Sequence, residues 1–380
     1  MKVRFIHSAD WQIGLPARFL PEEAAVRHAE ARLDAARAIG RLATERKCDF
    51  VVVAGDLFDA NMLERRTLRR AVEAIASIVV PVYLLPGNHD SLEPANVYER
   101  PEVGGQLPER VRVLMDSQPF PVKPGVEVVG APWPTKRPDR DLLADAIAPL
   151  EDNGTIRIAV GHGRVDAVMG PLSDEPETIH LSSLEAAIAR HAVHYVALGD
   201  RHSTTIVGST GRIWYSGTIE PTRFDEVDPG NVLIVELDDR GSCKVEPVRV
   251  AQWQFVEHEA MVTGEEDVAA VERFLVELPN KSRTAVRLAL TGTLTLRDHA
   301  ALEDLLETQS ETLACLETMS GRSDLVVQPD DFDFDLFGLS GFARAALTDL
   351  KEMASSTGEA ATEAQGALSL LYRLARGVVV

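Results

Sequence analysis

An α/β fold is what this chain predicts, a domain of two sheets flanked by helices followed by a smaller C-terminal α/β domain, and three observations predict it. Apolar runs of strand length recur, amphipathic helical stretches separate the early ones, and the later part changes to short alternating strands with Gly and Asp turns. The early strand runs are residues 3–6, 50–54, 82–85, 156–160 and 195–198. Residues 22–47, rich in Ala, Arg, Glu and Leu without an internal Pro, predict a long crossover helix, and 64–78 predict a second. Beyond residue 198, runs at 204–207, 212–215, 232–237 and 243–250 predict a second sheet closing the same domain, which is expected to span 1–253. From about residue 254 the chain restarts: strand 255–262, helix 267–278, strand 285–290 and helix 297–307 predict a small capping domain at 254–326. The remainder, 327–380, carries Asp330-Asp331-Phe332-Asp333-Phe334-Asp335-Leu336-Phe337 and then helices from 341. That acidic-aromatic segment reads equally as a docking row for a partner and as an exposed edge strand or loop.

Composition narrows the class. With 380 residues and 45% hydrophobic content the chain can fill at least one large core. No apolar run reaches the ~18 residues of a membrane span, and the first residues turn polar too soon for a signal-peptide core, so a cytoplasmic enzyme with no membrane partner is the expectation. Cys48, Cys243 and Cys315 are widely spaced and odd in number, which excludes a disulfide framework and a cysteine zinc site and leaves buried thiols. The formal charge of -20 opposes broad nucleic-acid binding, because phosphate contacts draw on Lys and Arg. Any DNA contact must be local, metal-assisted or shared with a partner. The basic clusters Arg65-Arg66 with Arg69-Arg70, and Lys136-Arg137 with Arg140, read as solvated helix faces and loops.

The chemistry lies where the strands end. Each early run is followed by a metal-capable cluster: Asp10 with Gln12; Gly55-Asp56-Leu57-Phe58-Asp59; Gly87-Asn88-His89-Asp90; Gly161-His162-Gly163; and Gly199-Asp200-Arg201-His202. Ligands of open α/β sheets sit beyond the carboxyl ends of the strands. Any one cluster reads as a turn or a structural histidine. Five in succession, with Asp, Asn and His in this order, predict a metal site.

That order resembles the calcineurin-like metallophosphoesterases, whose pattern is Asp-x-His, Gly-Asp-x-x-Asp, Gly-Asn-His-Asp or Glu, a later His, and Gly-His-x-His; it covers about residues 3–205. Residues 5–11, 53–59 and 215–221 are most similar to SbcD-type DNA repair exonucleases. The resemblance implies two divalent metal ions bridged by Asp56, with Asp10 and His202 on the first and Asn88 and His162 on the second. It implies His89 on the leaving-group side with Asp59 orienting it, whereas Asp90 reads as structural. Two positions depart from the pattern: Gln12 stands where the first metal normally has His, and Asp200 where the second has the first His of Gly-His-x-His. Both can ligate through oxygen, which shifts the expectation from zinc or iron toward manganese or magnesium. The alternative is a degenerate site with one weakly held ion.

The resemblance thus implies metal-dependent hydrolysis of DNA phosphodiesters in repair, as exonuclease or endonuclease, with an SMC-like ATPase partner and a homodimer built through the early helices. Two alternatives stand beside it: a stand-alone phosphodiesterase or phosphatase on small nucleotides, and a catalytically weak DNA- or partner-binding protein.

Overall fold

The computed structural model describes residues 2–168, 175–328, 341–354, 356 and 358–375, so the acidic-aromatic segment 330–337 lies outside the described residues. The chain divides into two compact units, Met1–Gln254 and Phe255–Val380.

Two six-stranded sheets build the first unit. One runs β12-β11-β1-β2-β3-β4, with β1 Lys2–Ser8, β2 Phe50–Ala54, β3 Val82–Leu85, β4 Val111–Val113, β11 Asn231–Asp238 and β12 Cys243–Arg249. The other runs β5-β6-β7-β8-β10-β9, with β5 Phe120–Lys123, β6 Val126–Gly130, β7 Ile156–His162, β8 Tyr195–Gly199, β9 Thr205–Val207 and β10 Ile213–Tyr215. Strands β1, β2 and β3 are mutually parallel, as are β7 and β8.

The period-two alternation of strand side chains sorts these residues into layers. Ile6, Val51, Val53 and Leu84 face outward under helices α1 (Glu22–Glu45) and α2 (Arg65–Ala76). Phe5, Phe50, Val52 and Ala54 face inward and meet Val128, Ile158, Val160 and Tyr195 of the second sheet. The far face of that sheet, including Val129, Ala159, Val196 and Leu198, packs under α3 (Leu142–Ile147) and α4 (Leu181–Ala189). The result is an α/β sandwich of two sheets flanked by helices. Phe5 stacks on Phe50 with ring centroids 5.0 Å apart, and each such fully buried side chain contributes on the order of 1.5–3 kcal/mol.

The late strands do not form a sheet of their own. β11 is almost continuously apolar and buried from Val232 to Val235, so it needs cover on both faces and takes the open edge beside β1, antiparallel to it. β10 instead extends the second sheet alongside β8. The five strands that precede the donor clusters are therefore shared between the sheets, three and two.

The second unit holds β13 (Gln254–Met261), α5 (Glu265–Glu277), β14 (Thr284–Thr295), α6 (Leu296–Ser310), β15 (Cys315–Thr318), β16 (Asp324–Gln328), α7 (Phe342–Ala354) and α8 (Glu359–Ala375). The 12-residue β14 is long enough to pair β15 along its first part and β16 along its last. Leu296 and Ala300 of α6 share an apolar cluster with Leu347 of α7 and Leu368 of α8. Cys48 and Cys315 are buried, and no disulfide joins any of the three cysteines. No described helix is long and apolar enough to cross a membrane.

Candidate metal centre

The parallel strands deliver their carboxyl ends to one place. From β1 come Asp10 and Gln12, from β2 Asp56 and Asp59, from β3 Asn88 and His89, from β7 His162, and from β8 Asp200 and His202. Two buried contacts lock the sheets together behind these ends. His7 Nε2–H donates to the Leu198 carbonyl at 3.1 Å while its Nδ1 accepts from the Tyr195 hydroxyl at 3.0 Å. His162 Nδ1–H donates to the Ala54 carbonyl at 2.9 Å. Glycine is required where the loops crowd: a Cβ on Gly87 would overlap the Asp56 carboxylate, and one on Gly199 would overlap the Ala54 carbonyl.

With Nδ1 occupied, His162 turns Nε2 into the site. It lies 2.7 Å from Asn88 Oδ1, 3.4 Å from Asp56 Oδ1 and 4.0 Å from Asp200 Oδ1. On the other side of Asp56, Gln12 Nε2 donates to Asp56 Oδ2 at 2.9 Å, and His202 Nε2 stands 3.9 Å from Asp10 Oδ1. Asp10 also accepts the Asp200 amide on both carboxylate oxygens at 3.1 Å. Asp56 thus presents one oxygen to each half of the cluster. Donor atoms of Asp10, Asp56 and His162 all lie within 4.8 Å of one another.

Electrostatics show that the cluster calls for positive charge. Burial pushes the Asp10 carboxyl up to about 7, since water no longer solvates its anion. Burial pulls His162 down, yet the Asp56, Asp10 and Asp200 carboxylates outweigh it and hold its pKa well above the ordinary imidazole range. A proton on His162 Nε2 would therefore sit among three oxygens, where a divalent cation would find oxygen and nitrogen donors already converged. The residues present fit such an ion by donor chemistry.

The remaining candidates sit beside this core. His89 is 43% exposed; its Nδ1–H donates to the Asp59 backbone carbonyl at 2.7 Å, with the Asp59 carboxylate at 3.7 Å. The Asp59 contact to His89 therefore runs through the main chain first. Asp90 points away from the cluster and accepts from Gly87 N, Phe58 N and Tyr98 Oη, tying two ligand loops together; burial pushes it up to about 6.

Two further residues went unsuspected in the sequence. His202 Nδ1 is held by Thr222 Oγ1 at 2.7 Å and by the buried Glu226 carboxylate at 2.9 Å. A carboxylate behind a metal-facing imidazole fixes its tautomer and raises its basicity. The only local signal was their position just past the 215–221 segment. Of the basic clusters, Lys136 and Arg137 line a cavity at the site, whereas Arg65 pairs with the buried Glu102 and Arg70 with Glu30 of α1.

A two-sheet sandwich that gathers buried carboxylate, imidazole and amide donors at its strand ends defines a metallohydrolase scaffold. The chain belongs to the calcineurin-like phosphoesterases, whose family model matches residues 3–203. It is 27% identical over 242 residues to the DNA double-strand break repair protein Mre11 of Archaeoglobus fulgidus, 59% of this chain and 51% of that protein, so it spans about half the length of that relative. Solved structures similar to it include TT1561 of Thermus thermophilus (13% identity, 66% of this chain and 100% of that chain, TM-score 0.40). Purple acid phosphatase PPD1 of yellow lupin is another (14% identity, 67% of this chain and 52% of that chain, TM-score 0.41). The NAD nucleotidase NadN of Haemophilus influenzae is a third (14% identity, 82% of this chain and 60% of that chain, TM-score 0.38).

Proposed function

We propose that this chain hydrolyses phosphodiester bonds of DNA with two divalent cations, manganese first among the candidates. The observation that carries the reading is the meeting of His162 Nε2 with Asn88, Asp56 and Asp200 oxygens on one side of Asp56, and of His202, Asp10 and Gln12 on the other. Support for DNA comes from the relative named as a DNA double-strand break repair protein.

On this reading Asp10, Gln12, Asp56 and His202 would hold one cation, and Asp56, Asn88, His162 and Asp200 the other. Divalent cations held there would neutralise charge on the phosphoryl oxygens and acidify a water for attack. His89 serves the leaving group. Its Nδ1–H donates to the Asp59 carbonyl, so Nε2 is the nitrogen left to face the departing alkoxide. An SMC-like ATPase as partner and homodimerisation through the early helices are proposed with it, on the resemblance to SbcD-type nucleases.

The test is hydrolysis of end-labelled linear duplex and single-stranded DNA with manganese, comparing the intact chain with His89→Ala and Asp56→Ala. Cleavage by the intact chain and its loss in both variants is expected. Hydrolysis of small nucleotide esters with no DNA cleavage would overturn the DNA assignment, and binding of less than one manganese equivalent would overturn the two-ion centre.

A further inference from the structure

Two cavities flank the donor cluster, both inside the first unit. One, of about 360 Å³, extends from Asp200 past His202 to Tyr215 and Arg223. The other, of about 690 Å³, extends from Asn88 past Trp133 to Lys136 and Arg137. Arg164 and Asp200 line both. Arg164 and Asp200 therefore stand at the border of two open spaces, each of a size that takes a small organic ligand.

Arg164 is, among the described residues, the cation lining both cavities. Its main chain is fixed two residues beyond His162, where the Ile179 amide donates to its carbonyl at 2.8 Å. Its side chain is 65% exposed, and its Nε stands 3.6 Å from Asp200 Oδ2, too far for a hydrogen bond. The other oxygen of Asp200 is 4.0 Å from His162 Nε2. A guanidinium is thus set beside the donor cluster with most of its planar fork open to solvent, in a chain of net charge -20. Such a fork matches two phosphate oxygens at once.

A phosphate monoester has one organic arm and would use one cavity; a diester has two. We propose that Arg164 binds the phosphate of a diester whose two ester arms lie in the two cavities, so that the site selects linkages flanked on both sides over terminal monoesters. This rests on the phosphoester reading above and names the substrate class of the same site.

The test is calorimetric titration of the manganese-loaded full chain with a phosphorothioate-linked thymidine dinucleotide and with thymidine 5′-phosphate, for wild type, Arg164→Ala and Arg164→Lys. The wild type is expected to bind the dinucleotide at least about tenfold more tightly than the monophosphate. Arg164→Ala should lose about tenfold or more of dinucleotide affinity, and Arg164→Lys should retain part of it, because charge survives without the bidentate fork. Because the side chain is exposed, melting temperature and manganese content should match the wild type, which makes a lost affinity a lost contact. Equal affinity for the two ligands, no binding by the wild type, or an Arg164→Ala variant that binds like wild type overturns the inference. Arg164-dependent binding without any phosphodiester hydrolysis would sink the hydrolytic reading and leave this one standing; DNA cleavage unchanged in Arg164→Ala would do the reverse.

Discussion

Acid should loosen the joint between the two sheets behind the site, and His7 is where this can be measured. His7 lies on β1, ahead of Asp10, and bonds to Tyr195 and Leu198 of β8, ahead of Asp200 and His202. Burial in this dry layer pushes its pKa down to about 3, against an ordinary 6.5. Between pH 6.5 and 3 the unfolded chain therefore binds a proton that the folded one refuses. The stability conferred by neutral His7 is fully present above pH 6.5 and is lost as pH falls toward 3. Linkage between those two values gives a loss of roughly 2.5 kcal/mol between pH 7 and pH 4.5, and a folded pKa one unit higher changes it little. The perturbation is His7→Gln, which keeps a donor and an acceptor but does not titrate. All four tryptophans, Trp11, Trp133, Trp214 and Trp253, lie in the first unit, so urea unfolding followed by tryptophan fluorescence in chelator reports on that unit alone. Asp10 and Glu220, both raised by burial to about 7, act with the opposite sign. They cancel in the difference between wild type and variant. The wild type should lose about 2.5 kcal/mol more than His7→Gln on acidification; parallel pH profiles would refute the argument.

Three further outcomes are expected. Glu226→Ala should weaken manganese binding by about 10–100-fold, because His202 loses the carboxylate behind Nδ1, while Glu226→Gln should fall between; manganese titration read by calorimetry checks this. Gly87→Ala should abolish one manganese equivalent, since the new methyl would occupy the space of the Asp56 carboxylate; metal quantification after loading, with circular dichroism as the folding control, decides it. Asp200→His should raise zinc affinity relative to manganese by restoring an imidazole where an oxygen donor stands, and competition between the two metals in one dialysis would show no change if Asp200 is not a ligand.

The strands and their donor clusters were legible in the sequence because buried parallel strands are continuous apolar runs and a donor follows each within a few residues: Phe50–Ala54 is buried throughout, and Gly55-Asp56 comes next. The partition of strands between sheets was not legible, since β1 meets β11 across more than 220 residues and nothing local in Asn231–Asp238 names its neighbour. Thr222, Glu226 and Arg164 escaped for a related reason. Each stands beside a donor in space and not in sequence, and a Glu 24 residues past His202 carries no spacing that marks it.

The strand-end clusters are turns and candidate ligand sets at once. Asp10, Gln12, Asp56 and Asp200 all hold left-handed backbone, with φ of 51°, 48°, 53° and 91°. Asp tolerates that region better than most residues, but each such turn still costs on the order of 1 kcal/mol and persists only where surrounding structure imposes it. Here the imposition is visible: the Asp10 amide donates to the Gly55 carbonyl and the Gln12 amide to the Asp56 carbonyl, so the loops after β1 and β2 hold each other in the strained form. Gln12, the family's histidine position, bears the same strain as the aspartates and turns its amide onto the Asp56 carboxylate. Because main-chain bonds to Gly55 and Asp56 impose this backbone, it fixes where the side chain of residue 12 starts whatever that side chain is, and an imidazole or an amide placed there would set out toward Asp56 alike.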